Sequence, residues 1–292
     1  MKKMNRVLLF VMMFFLCVNS QAQETTGDGV DALLASMKDH DKAALLMVHF
    51  GTTYDDTRAK TIDVINEKAR KTFPKLEVRE SYSSRIIIRR LKTRGIIKDT
   101  PLQAMMRLYA EGYTHLIVQS TNIIEGKEMN QLRQEVERMR PFFKEIRLGN
   151  PLLYSVEDAQ QVVDILSKHL TVNAKKKEHV LLVGHGTDTP ATAIYSEIDY
   201  LLKAAGLSNY HVGTIEGYPT FETALQQIQQ QKGKTVVLMP FMFVAGDHAR
   251  NDISEDWKRQ LEDAGLQVEL HIVGLGELPE IQDIFMEHAR GM

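Results

Sequence analysis

Short aliphatic runs alternate with longer amphipathic stretches between residues 43 and 273, and the alternation occurs twice. In the first half, this pattern predicts strands at 43–48, 76–80, 115–119 and 143–148, and helices at 54–73, 102–111 and 127–140. In the second half, it predicts strands at 179–183, 210–215, 235–240 and 268–273, and helices at 191–205, 221–230 and 252–264. Such alternation is typical of an α/β fold with a mostly parallel sheet that helices cover on both faces.

The two halves also resemble each other in sequence. When the Gly-Thr pairs are superposed, LLMVHFGTTYDDT (45–57) aligns with LLVGHGTDTPATA (181–193). If a one-residue gap is allowed, IIEGKEMN (123–130) aligns with FVAGDHARN (243–251). We therefore expect two similar lobes with a cleft between them. The first covers 43–150 and the second, which is expected to carry a metal site, covers 179–292; a linking helix and a Lys-rich bridge occupy 151–178.

The amino terminus has the features of a secretory signal peptide. Lys2, Lys3 and Arg6 precede an apolar run over 7–18, and Ser20-Gln21-Ala22 precedes polar sequence. The run is too short for a spanning helix, so residues 1–22 are predicted to be a signal cleaved near Ala22, followed by a polar lead-in over 23–42. The protein is then periplasmic or otherwise exported, with no membrane span after cleavage. Lipid anchoring at Cys17 is the alternative.

Composition and missing motifs exclude several function classes. Cys17 is the only cysteine and would leave with the signal, so the mature chain has neither a disulfide nor a thiolate nucleophile. The 36 Lys and Arg residues nearly balance the 38 Asp and Glu residues, which argues against a nucleic-acid partner. GxGxxG, GxxxxGK and GxSxG do not occur, so we expect no nucleotide or flavin cofactor and no serine-hydrolase site.

Three metal-ligating residue types follow three successive strands of the second half. His185, Glu216 and His248 are 31 and 32 residues apart, so each strand-helix unit delivers one of them to the carboxyl edge of the sheet, where ligands bind in open α/β folds. Each alone has a structural interpretation, as a hydrogen-bonded strand end or a helix cap. Together they suit a divalent ion such as Co²⁺, Zn²⁺ or Fe²⁺ and leave coordination positions open.

The same edge of both halves supplies candidate substrate contacts. In the alignment Phe50 faces His185 and Glu128 faces His248, so the first half lacks an identical site. His49 is expected to point to the other face of its strand. The run SSRIIIRRLKTRG is a solvated helix face or, through Arg85, Arg89 or Arg90, a site for ligand carboxylates. The other candidates are small residues, which would admit a flat ligand, or belong to an apolar loop on which such a ligand could stack: Gly51, Thr52, Gly186 and Phe243.

Several segments, in order, resemble the anaerobic-type sirohydrochlorin cobaltochelatases of the class II tetrapyrrole chelatases. They are HFGTTYDDT, TPLQAMMRLYAEGY, VQSTNIIEG, VGHGT, VGTIEGYPT and PFMFVAGDHARND. The resemblance spans residues 43–276 and implies two α/β lobes around a cleft in which a metal-free tetrapyrrole receives Co²⁺. It implies that His185, Glu216 and His248 bind the metal and act in catalysis, with His185 also accepting a proton.

The resemblance leaves two questions open. Corrinoid synthesis is cytoplasmic, whereas a signal peptide directs the chain across the membrane, so another tetrapyrrole, or Fe²⁺ or Ni²⁺ in place of Co²⁺, remains an alternative. The alternative from another class is a non-catalytic periplasmic carrier of metal, haem or another tetrapyrrole, which would bind without turnover. The sequence makes no prediction about oligomeric state.

Overall fold

The computed structural model describes residues 29–291. The predicted signal peptide, Cys17 and the first residues of the polar lead-in lie outside this range. Within it, no helix combines the length and the hydropathy needed to cross a bilayer.

The first lobe is a four-stranded parallel sheet in the order β2-β1-β3-β4. Its strands are β1 Ala43–His49, β2 Glu77–Tyr82, β3 His115–Ser120 and β4 Glu145–Leu148. Its helices are α1 Val30–Ser36, α2 Asp55–Lys60, α3 Ile62–Thr72, α4 Arg85–Thr93, α5 Pro101–Ala110 and α6 Lys127–Met139. The helix predicted over 54–73 is therefore two helices, separated at Thr61, whose φ of −121° is not helical.

The second lobe repeats this order as β6-β5-β7-β8, again parallel. After the linking helix α7 Val156–His169 come β5 Glu178–Gly186, α8 Ala193–Ala204, β6 Tyr210–Glu216, α9 Phe221–Gln230 and β7 Thr235–Pro240. A π-helix (Ala249–Trp257), α10 Lys258–Asp263, β8 Gln267–Leu270 and α11 Pro279–Arg290 complete the chain. Two similar α/β lobes are thus confirmed.

Alternation along the central strands creates a shared core and two outer ones. Leu45 and Met47 of β1 face the same buried cluster as Val180 and Leu182 of β5, together with side chains from α3, α7, α8 and α11. The intervening residues face separate clusters beneath α5 and α6 in the first lobe and beneath α9 and α10 in the second. Because successive strand residues point to opposite faces, both sheets can be covered on both sides.

The last helix returns to the first lobe. Helix α11 contacts α3 and β3, and Lys68 of α3 forms a 2.5 Å ion pair with Asp283 of α11. His288 of α11 lies 3.0 Å from Asp158 of α7. The range 179–292 therefore contributes structure to both lobes, and the shared core is closed by the end of the chain.

The backbone pairing of the two lobes follows the proposed alignment. The Lys42 carbonyl accepts from the amide of His115 at the start of β3 (3.0 Å), and the Lys177 carbonyl accepts from Thr235 at the start of β7 (3.3 Å). The same offset places Gly51 on Gly186, and both have a positive φ, of 98° and 79°. The two strand ends that open onto the cleft therefore have the same backbone conformation.

Candidate functional site

A cavity of 340 Å³ lies at the carboxyl ends of the strands and is lined by both lobes. Phe50, Ser84 and Glu128 line it from the first lobe, and His185 and His248 line it from the second. Much of the remaining wall is apolar; its side chains include Ile86, Ile87, Ile123, Ile124, Phe241, Met242, Phe243 and Val244. A concave, mostly apolar surface with a few convergent polar groups is typical of a small-molecule site.

The two predicted histidine ligands lie side by side in this wall. The ring centroids of His185 and His248 are 4.8 Å apart, with the rings nearly perpendicular. His185 is the penultimate residue of β5, and its Nδ1 lies 3.1 Å from the carbonyl oxygen of Gly186. In the neutral ring Nδ1 then donates to that carbonyl, and the lone pair on Nε2 is available to a metal or a proton.

His248 is oriented by a residue that the sequence interpretation missed. It immediately precedes the π-helix, and its Nδ1 lies 2.5 Å from Oδ2 of Asp252. A carboxylate that accepts from Nδ1 fixes the tautomer and leaves Nε2 free, an arrangement common around metal-binding histidines. The spacing of four residues in DHARND was the signal for Asp252, because it places the two side chains on one side of a helical turn.

Glu216 lies at the neighbouring strand end and apart from the imidazoles. It is the last residue of β6, is paired in register with Gly186, and its side chain is exposed and outside the cavity lining. Among residues 29–291, no three His, Cys, Asp or Glu side chains are grouped closely enough to hold a metal ion. The structure therefore brings together two of the three predicted ligands.

Close approach of neighbouring atoms explains why glycine occupies positions 51 and 186. A Cβ on Gly186 would lie 1.5 Å from the carbonyl oxygen of Glu216, and a Cβ on Gly51 would lie 2.4 Å from the Tyr82 ring. Both positions also have the left-handed backbone that glycine adopts without cost. Gly186 is thus what allows the ends of β5 and β6 to meet beside His185.

Of the nine candidate substrate contacts, seven line the cavity: Phe50, Gly51, Thr52, Arg90, Glu128, Gly186 and Phe243. Arg85 and Arg89 do not; on α4 the cavity instead meets Ile86, Ile87 and Arg90. One residue along a helix corresponds to about 100° of rotation, so the face that carries Arg85 and Arg89 points elsewhere. Arg90 is therefore the one of the three candidate arginines that lines the cavity.

His49 points away from the cavity, as the strand alternation predicted. Its side chain is buried, with Nε2 2.9 Å from Asn66 Oδ1 and Nδ1 3.1 Å from Thr121 Oγ1. Burial lowers the pKa of His49. Its ring stacks on Phe243 at a centroid distance of 6.1 Å, so it supports the cavity wall from behind.

Tyr195 is a buried wall residue that the sequence interpretation also missed. Its ring fills the space beside Gly184, where a Cβ would lie 2.2 Å from a ring carbon. Burial raises the pKa of Tyr195 to about 12, so its phenol stays neutral in the physiological range. Gly184 therefore makes room for an aromatic side chain behind His185.

Comparison with known proteins identifies the family. The profile of the cobalt chelatase (CbiK) family matches residues 43–292. The chain is 37% identical over 252 residues to a sirohydrochlorin cobaltochelatase of Salmonella typhimurium, covering 85% of this chain and 95% of that protein. It is 34% identical over 253 residues to the sirohydrochlorin cobaltochelatase CbiKC of Nitratidesulfovibrio vulgaris, covering 85% and 89% of the two chains.

Solved structures support the same fold at lower identity. SirB from Bacillus subtilis, solved with Fe³⁺, superposes with a TM-score of 0.59 and 15% identity, covering 85% of this chain and 94% of SirB. CbiX, described as the terminal enzyme of siroheme biosynthesis in denitrifying bacteria, superposes with a TM-score of 0.51 and 14% identity, over 85% and 97%. With its two parallel sheets, its shared cleft and its match over residues 43–292, the chain belongs to the cobalt chelatase (CbiK) family.

Proposed function

We propose that this protein inserts Co²⁺ into metal-free sirohydrochlorin, with release of both inner pyrrole protons. The observation that carries the proposal is the pair of imidazoles, 4.8 Å apart in the wall of an apolar cleft, in a chain of the cobalt chelatase family. Each imidazole has Nδ1 held by a hydrogen-bond acceptor, so each can offer Nε2 to the same guest.

In this proposal His185 and His248 hold the incoming Co²⁺, which is a substrate of the reaction. Glu216 supplies a carboxylate from the neighbouring strand end; its exposed side chain must rotate toward His185 to do so. Two imidazoles and one carboxylate form a small set that suits Co²⁺, and such a set leaves positions open for ring nitrogens. A closed four-ligand site would retain the ion and oppose its transfer.

The cleft binds the ring through its apolar wall. Phe243 is buried and immobilised by His49 and Phe285, whereas Phe50 is 41% exposed at the mouth. A flat macrocycle placed against these side chains removes apolar surface from water on both partners. The carboxylate side chains of sirohydrochlorin then lie toward the polar rim, where they keep contact with solvent or cationic groups.

Proton removal is the second task of His185. Metallation replaces two N–H bonds of the ring with metal–nitrogen bonds, so two protons must leave. Nε2 of His185 can accept one of them once Co²⁺ has moved from that nitrogen to the ring, and the other passes to solvent. A neutral imidazole can accept a proton near neutral pH, and the Gly186 carbonyl stabilises the imidazolium that results because it accepts from Nδ1–H. His185 is therefore assigned as the proton acceptor.

We further propose that the mature chain is exported, on the basis of the signal-like residues 1–22. Fusion of these residues to a reporter that is active only outside the cytoplasm tests this directly. Export also makes the physiological ion an open choice, so Fe²⁺ and Ni²⁺ belong in any competition assay with Co²⁺.

The decisive experiment is a turnover measurement. Purified mature protein is mixed with excess metal-free sirohydrochlorin and Co²⁺, and metallation is followed by the change in ring absorbance. A chelatase converts many equivalents of ring per protein, whereas a carrier stops at its binding stoichiometry. A matched reaction without protein corrects for spontaneous metallation, and conversion limited to one equivalent would contradict the proposal.

A further inference from the structure

Ion pairs connect the two lobes across the mouth of the cleft. Arg90 of α4 pairs with Asp247 at 2.6 Å, and Arg250 pairs with Asp56 at 2.7 Å. Lys127 of α6 pairs with Asp188 at 2.7 Å. Each pair joins a residue of the first lobe to one of the second, so a guest that separates the lobes must alter them.

Arg90 and Asp247 differ from the other pairs because both line the cavity. Arg90 Nη1 is the atom that contacts Asp247 Oδ2, and the Arg90 side chain is still 57% exposed. A guanidinium has five N–H donors, so one contact leaves most of its hydrogen-bonding capacity for a second acceptor. Asp247 in turn lies next to His248 and accepts from the Tyr54 hydroxyl, which raises the pKa of Tyr54.

The Arg90–Asp247 pair is easy to exchange. Ion pairs between solvent-exposed side chains contribute little to stability because water competes for both charges. A guest carboxylate at the rim can accept two parallel N–H bonds from the guanidinium, whereas Asp247 accepts from Arg90 through one oxygen. Release of Asp247 is offset by its retained contacts with Tyr54 and water.

We propose that Arg90 leaves Asp247 to bind a carboxylate of the incoming tetrapyrrole, and that Asp247 is the competitor that holds Arg90 in the empty cleft. The inference rests on the proposed function, since it assumes the same acidic ring. It assigns recognition of a ring carboxylate to one arginine of the run over 85–94. Arg90 is thus a specificity-determining residue, because a tetrapyrrole without a carboxylate at that position leaves the guanidinium on Asp247.

The test measures binding of metal-free sirohydrochlorin to the mature protein by fluorescence titration, with no metal present. Arg90→Gln is expected to weaken binding by about tenfold or more, as loss of a charged hydrogen bond does. Lys92→Gln removes a neighbouring exposed charge from the same helix and is the matched control, expected to change binding less than about twofold. Thermal unfolding of each variant verifies that it is folded.

The Asp247→Asn variant tests whether Asp247 competes with the ring for Arg90 or whether the pair only holds the two lobes together. If Asp247 competes for Arg90, removal of its charge tightens ring binding by about twofold to fivefold, and this gain disappears in the Arg90→Gln background. If the pair only holds the lobes together, both single variants weaken binding, which overturns the proposal. A gain of unchanged size in the double variant also overturns it, because Asp247 would then act by direct repulsion.

The outcomes are distinguishable from failure of the proposed function. If the wild-type protein metallates the ring and the Arg90→Gln variant binds the ring with unchanged affinity, only the role of Arg90 is contradicted. Wild-type protein that binds the ring without turnover contradicts the chelatase proposal, whatever Arg90 does. A tetrapyrrole with fewer carboxylates provides a further readout: its affinity should be less sensitive to Arg90→Gln than that of sirohydrochlorin.

Discussion

The two lobes have the same sheet order but present different side chains to the cleft. The equivalent backbone hydrogen bonds at the strand starts align Phe50 with His185, and Glu128 with His248. The Ser84 amide donates to the Phe50 carbonyl, which places Ser84 opposite Gly51, just as Glu216 lies opposite Gly186. Ser84 therefore corresponds to Glu216. The first-lobe set is an aromatic ring, a hydroxyl and one carboxylate, and all three line the cavity.

This difference separates two tasks on one duplicated backbone. The second lobe provides the two imidazoles that can bind an ion and accept a proton, whereas its counterpart provides an aromatic face for the ring. Because the strand-end conformation is preserved at Gly51 and Gly186, the difference lies in side chains and not in the framework. Variants at paired positions should therefore differ in which property they change or in how much they change it.

The largest contrast is expected between His185→Ala and Phe50→Ala. Loss of His185 removes the proposed metal ligand and proton acceptor, and should lower the metallation rate by about a thousandfold, within the range for general-base catalysis. Ring affinity should change less than about twofold. Loss of Phe50 should weaken ring binding by roughly tenfold through lost apolar contact. Steady-state metallation and metal-free titration measure the two effects.

The comparison fails if the two variants behave alike. Equal losses of rate and affinity in His185→Ala would mean that His185 holds the ring and not the ion. His185→Gln serves as the control for side-chain volume, since it fills the same space without an imidazole.

The next contrast concerns the paired glycines and is read out as stability. Gly186→Ala should lower the free energy of unfolding by more than about 3 kcal/mol, because its Cβ would meet a backbone oxygen at 1.5 Å. Gly51→Ala should cost less, about 2 kcal/mol, because its Cβ meets a side-chain ring at 2.4 Å that can shift. Urea unfolding of both variants ranks them, and the reverse order would show that the Tyr82 ring is the more rigid neighbour.

A smaller contrast is the pH sensitivity that His211 gives to the second lobe. His211 of β6 is buried between His179 (2.9 Å) and Gln227 (2.8 Å), and burial lowers its pKa to about 4. The equivalent strand position in the first lobe is Arg79, an ion-paired residue. In the unfolded chain this histidine binds a proton below about pH 6.5, whereas in the folded protein it stays neutral down to about pH 4. Stability therefore falls as pH drops from about 6.5 toward 4.

The stability at risk from His211 is at most about 3 kcal/mol. Hydrogen exchange at pH 7 and pH 4.5 should show a loss of protection in β5 and β6; β1 has a separate source of acid sensitivity, because burial also lowers the pKa of His49. His211→Gln, which keeps hydrogen-bonding capacity without titrating, should reduce that loss. An unchanged loss in β5 and β6 of His211→Gln would assign the acid sensitivity of these strands to other groups.

The sequence predicted the architecture because strand and helix periodicities are local signals. Seven of the eight predicted strands overlap the observed ones closely; β8 ends at Leu270, earlier than predicted, as an exposed edge strand. The clustering of His185 with His248 also followed from topology, since the carboxyl ends of β5 and β7 meet at one sheet edge. The direction of His49 followed from strand alternation alone.

What the sequence by itself determined is a duplicated α/β framework, with an imidazole pair at one carboxyl edge of it. Only the tertiary structure decided which of three arginines reaches the cleft, that Asp252 orients His248, that Glu216 stands apart, and that α11 crosses to the first lobe. The physical reason is that periodicity fixes which side of an element is buried. The rotation of a helix about its axis, the partner it packs on and the rotamer of an exposed side chain depend on contacts between residues distant in the chain.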